Sequence, residues 1–225
     1  MDTRKEGPLL KTLFSDQHPQ VRRWLVPFIL ACFLYFLLWI PEDQPSWFGA
    51  LVKCLPILCL VVFLAVAPGG RYSWLLQGGL VCSAVGDACL IWPGGFLYGM
   101  AAFFAAHLLY IWAFGLSPLQ PGPLLYIIPV SLVYYSFLLS HLEPGMVLPV
   151  LAYGLTLLSM LWRSLVRGGS AGWGGVLFTI SDGVLAWNAF IRPLPFARLM
   201  TMSTYYAAQL LLALSALRNP GLKTH

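Results

Sequence analysis

Charge is what this sequence lacks most. Asp, Glu, Lys and Arg make up 9% of its 225 residues, hydrophobic residues make up 59%, and mean hydropathy is +0.78. Soluble domains carry about a quarter charged residues, so a soluble globular chain is excluded and a polytopic membrane protein is expected. Histidine is also scarce, with four residues, and no HExxH, GxSxG or P-loop pattern occurs. That removes the signatures of zinc proteases, serine hydrolases and nucleotide-hydrolysing enzymes. A catalytic zinc needs about three convergent ligands. His18 and His225 are terminal, His141 falls at a helix edge, and only His107 lies within a span. Neither a metal nor a cofactor is therefore expected. The five cysteines (Cys32, Cys54, Cys59, Cys82 and Cys89) form no CxxC pair and read as buried thiols. Residues 1–23 are polar, and the first apolar run, near Trp24, is about a full span long, so a cleavable signal peptide is not expected. Asp2 stands where myristoylation needs glycine, and the C-terminal Leu-Lys-Thr-His is no prenylation box.

What is present is a series of long apolar runs. A span needs ~20 apolar residues at ~1.5 Å each. That ruler predicts an all-α membrane protein, a bundle of eight transmembrane helices at about 24–40, 49–67, 73–92, 95–115, 122–140, 145–165, 172–191 and 198–217. Pro- and Gly-rich breaks separate them, so residues 24–217 form one domain between polar segments 1–23 and 218–225. With a cytosolic N-terminus, that side collects Arg4, Lys5, Lys11, Arg22, Arg23, Arg71, Arg163, Arg167, Arg218 and Lys223. The other side receives Arg192 and Arg198. Ten against two is a strong positive-inside bias and places both termini in the cytosol. It also explains the net charge of +5 without a nucleic-acid partner.

Of the eight carboxylates, Asp2, Glu6 and Asp16 precede the first apolar run, and Glu42, Asp43 and Glu143 fall in breaks. Asp87 and Asp182 alone lie at membrane depth, where an ionisable group marks a functional site by default. Both begin an Asp-x-x-Leu-x-Trp pattern (Asp87/Leu90/Trp92 and Asp182/Leu185/Trp187), on the third and seventh spans. The shared pattern hints at a four-plus-four repeat.

The other strongly polar groups within spans are Lys53, Ser83, His107, Ser181, Asn188 and Gln209, with Tyr110, Tyr205 and Tyr206 as polar-tipped aromatics. Lys53 and Asp87 fall at similar depth, so the bland reading is a self-neutralising ion pair. It leaves Asp182 without a cation. That carboxyl must be protonated, hydrated, or bonded to neutral donors such as Asn188, Tyr205 or Gln209, and in that setting can serve as an acid. Ser83, one turn before Asp87, is placed to donate to it. Ser181 points elsewhere and bonds a backbone carbonyl. Gly86 reads as a close helix packing point. His107 and Tyr110 share one face, and a lone histidine in an apolar helix reads first as a satisfied core group.

The series Lys53-Cys-Leu-Pro56, Ser83-Ala-Val-Gly-Asp87, His107-Leu-Leu-Tyr110, Phe178-Thr-Ile-Ser-Asp182, Asn188 and Tyr205-Tyr-Ala-Ala-Gln209 resembles the lysoplasmalogenase (YhhN-like) family of eight-helix membrane proteins. The resemblance runs from the second to the eighth span. It implies hydrolysis of the vinyl ether bond of a lysoplasmalogen, giving a fatty aldehyde and glycerophosphoethanolamine or glycerophosphocholine, in the endoplasmic reticulum membrane. The partners implied are that lysophospholipid and membrane lipids; self-association is left open. The residues fit this chemistry. A vinyl ether has no carbonyl for a nucleophile; it needs a proton on its β-carbon and a carboxylate to stabilise the resulting cation and activate water. Asp87 and Asp182 are the expected catalytic pair, with Lys53, Ser83, His107, Tyr110, Ser181, Asn188, Tyr205 and Gln209 binding substrate or supporting them. Which aspartate is the acid stays open; the lack of a predicted cation near Asp182 favours it. The rival expectation is a lipid or ion transporter that uses Asp87, Asp182 and Lys53 as a relay.

Overall fold

The computed structural model describes residues 19–41, 44–67 and 70–218. The remaining positions, which hold most of the predicted cytosolic end segments together with Glu42 and Asp43, lie outside the described residues. Eight α-helices occur among the described residues: α1 (Pro19–Leu38), α2 (Trp47–Val66), α3 (Arg71–Cys89), α4 (Phe96–Phe114), α5 (Leu124–Leu139), α6 (Pro144–Arg167), α7 (Gly169–Phe190) and α8 (Ala197–Ser215). A 3₁₀ turn, Pro93–Gly95, leads into α4, and another, Ala216–Arg218, follows α8.

Local chemistry sets the helix ends. The Ser46 hydroxyl accepts from the Gly49 amide at 3.0 Å and caps α2. Pro144 opens α6, where its missing N–H is no loss. Gly168, at φ +74°, closes α6 and opens α7 in a conformation open to glycine. Arg163 is 2% exposed. Its Nε donates to the Gly115 carbonyl at 2.6 Å and its Nη1 to that of Pro118 at 2.9 Å. It therefore staples α6 to the end of α4. Arg71 and Arg167 lie over the rings of Trp112 and Tyr72. Three arginines counted in the charge bias thus also anchor the bundle.

The tightest pairs are α3 with α4 and α7 with α8. Both rest on small residues. A Cβ on Gly86 would stand 2.7 Å from the Phe103 ring and 3.2 Å from the Gly99 carbonyl oxygen. One on Gly174 would stand 3.1 Å from the Ala208 carbonyl oxygen. Gly86 is a packing point, as its sequence position suggests. Helix α4 packs on α6 rather than on α5. Helix α5 is left at the edge, with Ile127 and Leu138 its buried residues.

Among the described residues, Trp47–Val66, Pro93–Phe114 and Pro144–Arg167 are each long and apolar enough to cross a membrane. Leu25–Leu38 and Leu124–Leu139 are shorter apolar helices. Polar residues lower the hydropathy of the others: Ser73, Gln77, Ser83 and Asp87 on α3, Ser203, Thr204 and Gln209 on α8. The exterior is nonetheless apolar, with Phe33, Leu125, Leu132, Leu148 and Leu155 all well exposed. A chain that turns so many large apolar groups outward is a membrane protein.

Candidate active site

Asp87 stands in the last turn of α3 and is 2% exposed. Its Oδ2 accepts the Tyr205 hydroxyl of α8 at 2.6 Å, and its Oδ1 faces Lys53 Nζ of α2 at 3.7 Å. The expected pairing of Lys53 with Asp87 is present, and Tyr205 joins it. The Tyr206 hydroxyl donates to the Lys53 carbonyl at 2.8 Å, which fixes α8 against α2 where the lysine emerges.

Asp182 has no cationic partner among the described residues. Its Oδ2 accepts the Tyr153 hydroxyl of α6 at 2.5 Å. None of the three expected donors fills that place. Tyr205 belongs to Asp87, and the Gln209 Oε1 accepts from Tyr110 at 2.8 Å. The Asn188 side chain accepts the Leu194 amide at 2.9 Å and closes the turn after α7. Asn188 lies six residues past Asp182, beyond the i+3 and i+4 neighbours that share a helix face. Ser181 turns away from Asp182 and donates to the Thr201 carbonyl at 3.0 Å.

Two further expectations are corrected. Ser83 does not donate to Asp87; its buried hydroxyl lies beside that of Tyr110. His107 is not a satisfied core group. It is fully buried, and neither ring nitrogen has a hydrogen-bond partner among the described residues. Edge-on contacts with Tyr153 (5.3 Å between ring centres) and Phe178 (4.9 Å) hold it instead. Gln209 Nε2 lies beside the Tyr205 hydroxyl. An unpaired buried donor or acceptor costs ~1–3 kcal/mol, so His107 is an expensive group to keep in the core.

The two carboxylates have different partners, Lys53 and Tyr205 for Asp87 and Tyr153 for Asp182. Tyr205 packs edge-on against Phe103 and Phe178, at 5.9 and 5.6 Å. Phe103 also lines an apolar cavity of about 370 Å³ between α4, α5, α6 and α7. Asp182, Tyr134, Tyr135 and Tyr153 bring polar atoms to its wall; leucines, valines and phenylalanines make up most of the rest. A volume in the usual ~300–1,000 Å³ range for small-molecule sites, with one carboxyl and a few hydroxyls in a mostly apolar wall, suits an apolar chain with a reactive group near one end. Among the described residues, no three His, Cys, Asp or Glu side chains are grouped to hold a metal ion.

Tyr153 escapes the sequence reading, although a signal for it exists. A hydroxyl in the middle of an apolar helix needs an acceptor at its own depth, and Asp182 is the unmatched acceptor there. Arg198 escapes because it was counted as a surface charge. Its Nε donates to the Tyr35 hydroxyl at 3.0 Å and its Nη1 to the Ile40 carbonyl at 2.7 Å.

Residues 48–216 match the YhhN family. The chain is 78% identical to the mouse protein Lysoplasmalogenase TMEM86B over 226 residues, covering the whole of both chains. It is 68% identical to the human protein of the same name, again over the whole of both. With human Lysoplasmalogenase TMEM86A the identity is 39% over 213 residues, 87% of this chain and 89% of that one. No solved structure matches.

Proposed function

The chain belongs to the YhhN family, and from that premise we propose that it is a lysoplasmalogenase. It hydrolyses the vinyl ether bond of 1-alkenyl-glycerophosphoethanolamine and 1-alkenyl-glycerophosphocholine, releasing a fatty aldehyde and glycerophosphoethanolamine or glycerophosphocholine. Asp87 and Asp182 carry the reaction. The observation that supports them most is the position of Asp182: an uncompensated carboxyl, oriented by Tyr153, on the wall of an apolar cavity.

Asp182, in its protonated form, delivers a proton to the β-carbon of the vinyl ether. The double-bond electrons form the new C–H bond, and the ether oxygen donates a lone pair to give an oxocarbenium ion. Water adds to that cation and loses a proton to a carboxylate. The hemiacetal then collapses, its hydroxyl becoming the aldehyde carbonyl while the glycerol oxygen leaves with a proton. Asp87, opposite Lys53, is the group that stays ionised, stabilises the cation and draws the proton from water. Tyr205 and Tyr153 each orient one carboxyl through its Oδ2; the Oδ1 of Asp87 faces Lys53, and that of Asp182 is left for proton transfer.

The same reading has all eight helices crossing the bilayer, with residues 24–217 as the hydrolase domain and both termini on the cytosolic face of the endoplasmic reticulum. The four-plus-four repeat belongs to it. Each aspartate takes a partner from the helix before its own, Lys53 of α2 for Asp87 and Tyr153 of α6 for Asp182. Aldehyde release from lysoplasmalogen by the purified chain tests the function. Movement of lipid or ions across sealed vesicles without aldehyde would put a transporter in its place.

A further inference from the structure

A second cavity, of about 250 Å³, lies at the end of the bundle where α1 passes to α2. Its wall differs in kind from that of the first, because Gln44, Ser46, Lys53 and Arg198 line it. The two cavities share Leu90, Phe96 and Leu185. Leu90 and Leu185 are the two leucines of the repeated Asp-x-x-Leu-x-Trp pattern, so the motif that carries the carboxylates also builds the boundary between an apolar and a polar compartment.

Lys53 is weakly used by the pair it belongs to. Its Nζ stands 3.7 Å from Asp87 Oδ1, beyond hydrogen-bond length, and its side chain is 13% exposed. An ammonium has three donors, and one loose ion pair leaves room for a further acceptor on the cavity side. Arg198, on the opposite part of the wall, is held by Tyr35, by the Ile40 carbonyl and by the faces of Trp39 and Tyr35 at 4.5 and 5.2 Å. It sets the shape of the wall, and Lys53 is the lining cation with one loose ion pair among the described residues.

We infer that this cavity receives the phosphodiester of the substrate's headgroup and that Lys53 is its anionic anchor. The inference rests on the lysoplasmalogenase reading and extends it. A lysolipid is an apolar chain, an ether oxygen, three glycerol carbons and a phosphodiester in that order. With the chain in the first cavity and the phosphate in the second, the ether lies at the shared wall, between Asp182 and the Lys53–Asp87 pair. A compact ammonium suits a phosphate oxygen approached from one side. Phosphate binding also puts a second anion beside Lys53, which links headgroup recognition to the lysine that neutralises Asp87.

The test is equilibrium binding by the detergent-solubilised full chain. The probes are lysophosphatidylcholine, which has no vinyl ether, and a monoacylglycerol of equal chain length. Wild type is compared with Lys53→Arg and with the double variant Lys53→Met/Asp87→Asn, which removes both charges so that neither is left unpaired. Wild type and Lys53→Arg should prefer the phospholipid by roughly tenfold to a hundredfold, the strength of a charge-assisted hydrogen bond. The double variant should lose that preference while keeping its affinity for the monoacylglycerol. Glycerophosphocholine should displace the phospholipid, whereas inorganic phosphate at equal concentration should not. An unchanged preference, an equal loss for both lipids, or equal displacement by inorganic phosphate overturns the assignment. Aldehyde release from lysoplasmalogen by the same wild-type preparation stands apart. If aldehyde appears and the preference ignores Lys53, only the headgroup site falls; if none appears, the enzymatic reading falls.

Discussion

Replacing each aspartate by asparagine should give equal losses of activity and unequal losses of stability. At position 182 the amide oxygen can still accept from Tyr153, and no cation among the described residues loses its counter-charge. A neutral amide is cheaper to bury than a carboxylate, so Asp182→Asn should change stability by less than about 1 kcal/mol. At position 87 the amide keeps Tyr205 but leaves Lys53 facing a neutral group. Breaking a buried pair from one side costs about 3–5 kcal/mol, and the partial exposure of Lys53 puts this case near the lower figure. For a chain of this size that is a fall in thermal midpoint of roughly 6–12 °C. Turnover should drop about a hundredfold or more in both variants, the usual loss when a general acid or base is removed. The double variant should be no worse than the poorer single one, because groups that act as a unit are not additive. The assays are aldehyde release at saturating lysoplasmalogen and thermal unfolding of monodisperse protein. Near-normal turnover in Asp182→Asn would refute the mechanism, and equal thermal midpoints would refute the account of Lys53.

Tyr153→Phe should lower turnover by up to roughly tenfold, the scale of one hydrogen bond, while lysolipid binding measured by displacement stays within a few fold. Ala186→Trp adds an indole to the apolar cavity one turn after Asp182 and should cut kcat/KM by roughly tenfold or more, most for the longest alkenyl chains. Activity should survive prolonged exposure to strong chelators; loss on chelation with recovery on adding zinc would overturn the carboxylate mechanism. Tags at the two termini should both be reached from the cytosolic side of sealed vesicles, and opposite sides would sink the even number of crossings.

Helix number and order were legible because apolar runs and Pro/Gly breaks are local signals. Seven of the eight predicted segments coincide with observed helices to within about three residues at each end, while α1 is already helical over 19–23, ahead of the predicted start near residue 24. There the apolar run and the helix part company, because Arg22 and Arg23 can extend a helix without adding hydropathy. The pairing of Lys53 with Asp87 was legible because two lone opposite charges at one depth have few other options. The donors of Asp182 were not. Depth along a helix says which residues share a level, whereas the choice among Tyr153, Tyr205 and Gln209 depends on which helices are neighbours. The packing of α4 on α6, with α5 outside, is a fact of tertiary arrangement that no periodicity records.

That arrangement bears on how a single-chain lipid reaches a carboxyl inside a bundle. Helix α5 buries little of itself and yet forms one wall of the cavity that holds Asp182. One hydrogen bond, from the Tyr134 hydroxyl to the Gly183 carbonyl at 2.7 Å, ties it to α7 beside the aspartate. Between helices in a bilayer there is little hydrophobic driving force, so close packing and interhelical hydrogen bonds hold the pairs together. The well-packed pairs α3–α4 and α7–α8 carry the two aspartates, which must keep their geometry. The sparsely packed helix forms a wall of the apolar cavity, and on the proposed mechanism that is the wall an apolar chain passes. Rigid support for the carboxyls and a loosely held wall for the lipid are opposite demands, and this fold separates them by placing them on different helices.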